Sequence, residues 1–214
     1  EILEEELGRS QQRTEMEKLA RELYREHKKV LDFVIEHGAN SDFAIAMQSI
    51  TGDDPERVVP VTIEGKTYHF DWIGNDAAQF LPAHWYDGFG GERYDWEGCE
   101  EWGMGYPLVA WLQLSSDVDG NGGQLRLYAE VGPLSSHTFR QALIENIVEA
   151  ATKVGTEKVR FQRDAAEEGK RSSKFLKQNS LNIRDVQDAD EITINVKKLL
   201  KKFENEIEII GMVL

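Results

Sequence analysis

Cysteine is nearly absent from this chain: Cys99 stands alone, which excludes an internal disulfide and any multi-cysteine zinc site. A reducing cytoplasm is the expected compartment. No stretch approaches the roughly 18 consecutive apolar residues of a membrane helix, so no membrane partner is expected. The first residues lack the basic-then-apolar order of a signal peptide. Positive charge is in the minority, with 25 Lys and Arg against 39 Asp and Glu, a net charge of −14. A surface of that sign cannot grip nucleic acid as a whole, because phosphate binding needs clustered cations. The chain opens on Glu1 rather than Met, and we expect it to be the C-terminal part of a longer protein.

What is present suffices for a packed core: 40% of the 214 residues are hydrophobic. Over 10–37, Met16, Leu19, Leu23, Tyr24, Val30, Leu31 and Val34 recur at helical spacing; Thr14 and Glu17 form a capping box, and Gly38 ends the helix. A short helix is expected from Ser41 to Ile50. The period then changes to two, with Val59, Val61 and Ile63 before Glu64-Gly65-Lys66, and Tyr68, Phe70 and Trp72 after it, a β-hairpin pattern.

Residues 74–106 are rich in Gly and Trp, with one strand expected near Gln79–Trp85. Leu108–Ser115 and Gln124–Val131 form the strongest strand pair. A helix follows, capped at Ser135 or Ser136. A short strand is expected over Lys158–Gln162, a helical turn around Ser173–Gln178, and a final helix opened by a capping box of Asp188 and Glu191. The fold class is α+β: a mostly antiparallel sheet with helices packed on it and long N- and C-terminal helices. One domain over 1–214 is expected, comprising the 10–37 helix, the sheet and Trp-rich loop of 58–131, and a helical, basic part over 136–214.

Several patterns could carry chemistry. Asp117-Val118-Asp119-Gly120-Asn121-Gly122 opens like a calcium loop, but Tyr128 stands where the bidentate Glu belongs, and the same residues favour a tight turn. No metal or cofactor is expected. Asp54, Glu64 and Lys66 have the order of a metal-dependent nuclease site, in which two carboxylates hold Mg²⁺ and the lysine helps activate water. Gly65 between them reads instead as a hairpin bend. All five Trp fall within 72–111, and Trp85, Trp96 and Trp102 are candidates for binding a protein or uncharged ligand, with a buried core as the simpler reading. From Lys153 to Arg184 there are nine Lys or Arg against four acidic residues. Lys158, Arg160, Arg163, Lys170, Arg171, Lys174 and Lys177 could contact a phosphate backbone; a solvated surface is the alternative.

The segment from Leu23 to Ile35, the order Pro107–Leu114 then Leu125–Pro133 then an amphipathic helix, and the later Ser173-Lys174-Phe175-Leu176, Ile183-Arg184-Asp185-Val186 and Lys201-Lys202-Phe203 together resemble one bacterial group. It belongs to the PD-(D/E)xK nuclease superfamily and includes proteins associated with phage defence. The resemblance spans roughly Leu19 to Ile210 and rests on order and character rather than on a strict motif. It implies that the metal-binding residues lie upstream, in a nuclease domain of the same polypeptide. This chain would then be a non-catalytic accessory or regulatory domain.

Overall fold

The computed structural model of the protein describes residues 16–19, 21–29, 41–52, 60–91 and 96–214. The chain divides into two units, Glu1–Asn40 and Ser41–Leu214. In the first, residues 16–19 and 21–29 are helical, inside the helix expected over 10–37; Thr14 and Gly38 lie outside the described residues.

The second unit is α+β. Its strands are β1 (Pro60–Ile63), β2 (Lys66–Ile73), β3 (Ala77–Pro82), β4 (Leu108–Ser116), β5 (Gly123–Val131), β6 (Ser173–Lys174) and β7 (Ser180–Ile183). They pair in the order β1-β2-β3-β4-β5-β6, with β7 also on β5, and every pairing is antiparallel. Its helices are α1 (Asp42–Thr51), α2 (Ala83–Gly88), α3 (His137–Val154), α4 (Ala189–Lys202) and α5 (Glu204–Gly211). Helix α4 packs on α1, α5, β5 and β7, and α5 packs on α3.

Alternation in β4 and β5 sets the two faces of the sheet. Leu112, Leu114, Leu125, Leu127 and Ala129 are buried and join Ile192, Val196, Leu199 and Phe203 in one core. Trp111, Gln113, Gln124, Arg126, Tyr128 and Glu130, in the other phase, are only half-buried. Part of this second face is covered by the segment before β4: Val109 and Leu81 are buried there, and a Cβ on Gly103 would touch Val109.

Local chemistry explains the element ends. Ser41 accepts from the Ala44 amide, Ser136 from Phe139 and Asp188 from Glu191, each filling an otherwise open first-turn donor. The Glu64-Gly65 turn has φ of 50° and 80°, the paired left-handed residues that suit a two-residue hairpin. The capping box at α4 forms only in part, because the Glu191 carboxylate accepts from the Arg184 and Asp185 amides rather than from Asp188.

Four expectations are corrected. The strand expected near Gln79–Trp85 is β3 over Ala77–Pro82, and Trp85 sits in α2. The strand expected over Lys158–Gln162 is reduced to an isolated bridge, Val159 to Leu176. Ser173–Gln178 holds strand β6 rather than a helical turn, because the Phe175 amide donates to Ala129 O of β5. The final helix is two helices, parted at Phe203 with φ −107° and ψ 7°.

Candidate nucleic-acid interface

Residues 157–163 and 172–179 run side by side past the edge of β5. The Arg160 amide donates to Phe175 O and the Lys177 amide to Lys158 O, both at 2.8 Å. Phe161 and Phe175 pack with ring centroids 4.7 Å apart, which anchors the pair of segments on the core. Asn179 ties the second segment to β5 twice, through its carbonyl to the Leu127 amide and through Nδ2 to Leu127 O.

A second anchor comes from Arg140, a fully buried side chain of α3, 3% exposed. Its guanidinium donates to Gly132 O at 3.1 Å, to Ser173 Oγ at 2.7 Å and to Ala165 O. Burial lowers its pKa from the ordinary value, and three oxygen acceptors compensate the charge. Arg140 thereby fixes the start of β6 and the turn around Ala165 that leads to Lys170.

Two adjoining clefts open over this frame. One, of about 740 Å³, is lined by Arg160, Arg163 and Lys177, with Gln162, Gln178 and Glu157. The other, of about 510 Å³, is lined by Lys170, Lys174 and Lys177, with Tyr128, Glu130 and Asn179. Gln162, Lys177 and Gln178 belong to both. Gln178 has φ 53°, a left-handed conformation uncommon for a side chain with a Cβ, and it turns the chain between β6 and β7. Around the clefts, Arg160, Arg163, Lys174 and Lys177 make no ion pair among the described residues. Lys170 is paired with Asp164, whose carboxyl is held below its usual range by that contact.

The sequence candidates therefore separate. Arg160, Arg163, Lys170, Lys174 and Lys177 come together. Lys158 does not: its ammonium donates to Glu206 at 3.2 Å and to Lys202 O at 2.9 Å. Glu206 is only 3% exposed and also accepts from Thr156, so Lys158 is the counter-charge of a buried carboxylate. Arg171 is exposed and lines neither cleft.

The tryptophan candidates lie elsewhere. Trp85 is fully buried and donates to Ile207 O at 2.9 Å. Trp96 is half-buried, stacked on Phe139 at 5.4 Å, and its Nε1 has no hydrogen-bond partner among the described residues. Trp102 lies on Gly132 so closely that a Cβ there would stand 2.4 Å from the ring. None of the three lines either cleft. Cys99, beside them, is buried, which pushes its thiol up to about 11.

Glu64 is exposed at the hairpin tip, and Lys66 is held by Glu208 and, at 3.5 Å, by Glu204 of α5. Those contacts raise the lysine's pKa, the Glu208 hydrogen bond most. Asp54 lies outside the described residues. The Asp117–Gly122 segment is a turn closed by the Asp117 amide to Gly122 O at 2.8 Å. Among the described residues, no three His, Cys, Asp or Glu side chains group to hold a metal ion, and no helix is long and apolar enough to cross a membrane.

Sequence reasoning passed over Trp111 and Tyr128. They are cross-strand partners on the half-buried face, with ring centroids 4.4 Å apart and planes at 24°. Lys174 Nζ stands 4.4 Å from the Trp111 centroid and 4.2 Å from that of Tyr128, within cation–π range. The signal was available, because both sit in the polar phase of their strands, beside Gln113, Gln124, Arg126 and Glu130. No family model, curated protein or solved structure matches the chain.

Proposed function

We propose that this chain is a non-catalytic accessory module that contacts nucleic acid, within a PD-(D/E)xK nuclease-like protein whose catalytic residues lie upstream. The observation that carries this reading is the convergence of Arg160, Arg163, Lys170, Lys174 and Lys177 on two adjoining clefts of a chain with net charge −14. Among the described residues, only two carboxylates, Glu130 and Glu157, line the same clefts. Cations clustered against an acidic body confine phosphate binding to one face and repel it elsewhere. The resemblance supports the nuclease context and the association with phage defence, and the lone buried Cys99 suits the cytoplasm. A module that binds a protein or uncharged ligand through the Trp-rich loop is the second reading, favoured by the Nε1 of Trp96, which has no partner among the described residues.

Incubating the purified chain with supercoiled plasmid and labelled oligonucleotides, with Mg²⁺ or Mn²⁺, separates these readings. Binding without cleavage, fading as salt rises, is the expected result. Absence of binding at low salt would remove the nucleic-acid role, and cleavage abolished by Glu64→Ala would make this chain an enzyme.

A further inference from the structure

We propose that the uncovered part of the sheet's second face is a stacking site for unpaired bases, with Trp111 and Tyr128 as its platform, so that the ligand is single-stranded nucleic acid. This rests on the nucleic-acid reading above and specifies the strand state.

Four residues stand in one cross-strand row on that face: Trp72 opposite Gln79, Gln79 opposite Trp111, and Trp111 opposite Tyr128. With strands about 4.8 Å apart, the row runs about 14 Å from β2 to β5. Trp72 belongs to it only because the register slips at Asp71, between Phe70 and Trp72. Trp72 is 49% exposed, whereas Phe70 is buried. The neighbouring row carries Gln113 opposite Arg126, amide and guanidinium groups able to meet the edges of a base.

This platform is continuous with the cationic clefts. Tyr128 and Lys174 both line the 510 Å³ cleft, and Lys174 also stands against both rings of the platform. A strand whose phosphates follow Arg160, Arg163 and Lys177 can therefore turn its bases toward Trp111 and Tyr128. Bases in a duplex already stack on one another, so only an unpaired base can offer its face to these rings. An aromatic cross-strand pair also stabilises a sheet by itself, and the test must separate the two roles.

Fluorescence anisotropy with labelled oligonucleotides of about 12 nucleotides does so, a length within the usual site sizes of single-strand binders. The probes are oligo(dT), oligo(rU), a DNA duplex of equal length, and a strand of abasic sites that keeps the phosphates and lacks the bases. Oligo(dT) is expected to bind at least about 10-fold tighter than the duplex or the abasic strand. Trp111→Leu and Tyr128→Leu should each weaken single-strand binding about 5- to 100-fold and leave duplex binding unchanged, with Tyr128→Phe close to the parent. Equal affinity for the thymidine and abasic strands would overturn the stacking site while leaving the phosphate contact standing. That comparison uses the unaltered chain and does not depend on a variant's folding. No binding of any probe would overturn both readings.

Discussion

Arg140→Met removes three hydrogen bonds from a charged donor while keeping most of the side chain's packing volume. Hydrogen bonds to a charged group contribute about 1.5–3 kcal/mol each, so the gross loss is large. Two effects reduce it. The guanidinium no longer has to be desolvated, which returns several kcal/mol by order of magnitude. Two acceptors also keep another partner: Gly132 O retains the Leu134 amide at 3.0 Å, and Ala165 O retains Ser173 Oγ at 3.1 Å. A net loss of about 3 kcal/mol results, with no buried carbonyl left orphaned. For a unit of this size, 1 kcal/mol shifts Tm by about 2–4 °C, so calorimetry should show a fall of about 6–12 °C. Nucleic-acid affinity should fall as well, since Arg140 positions the segments bearing Lys170 and Lys174. A Tm within about 2 °C of the parent would refute the role assigned to this side chain.

Three further expectations concern other parts of the molecule. Lys158→Met leaves the buried Glu206 without its counter-charge and should cost about 3–5 kcal/mol in urea unfolding; an unaltered midpoint would place Lys158 on a solvated surface instead. Glu64→Asn puts a residue tolerant of positive φ before Gly65 and should stabilise the hairpin by about 0.5–1 kcal/mol, read as a small rise in Tm; a fall would contradict the turn's strain. Burial raises the Cys99 thiol to about 11 and the Tyr68 phenol to about 12, so the unfolded chain loses these protons first. Stability should therefore decline as pH rises from about 9 to 11, on the order of 2 kcal/mol from Cys99, and Cys99→Ala should flatten that decline.

The sheet was legible where one face is buried and the other is not. In 108–116 and 123–131 the apolar alternation fixes both the strands and their faces, because slipping by one residue would expose every leucine. Trp72 was misleading for the same reason: alternation from Tyr68 and Phe70 puts it in the core, and a one-residue bulge reverses it. The 173–178 segment has no periodicity, and its extended form depends on the Ala129 carbonyl, far away in sequence. The break at Phe203 carries neither Gly nor Pro, so nothing local announces it. Composition located the basic cluster, but it could not tell Lys158, bound to a carboxylate 48 residues away, from Lys177, which faces a cleft.

The most direct test of the nucleic-acid role is the salt dependence of binding to a single-stranded oligonucleotide, compared with the Arg160→Gln, Arg163→Gln, Lys177→Gln triple variant. Each phosphate neutralised contributes about −0.7 to the slope of log K against log salt for a single strand. With about four phosphates engaged, the parent slope should lie near −3, and the triple variant should flatten it by about 2. Salt-independent binding, or a slope unmoved by the three substitutions, would contradict the assignment of these clefts to nucleic acid.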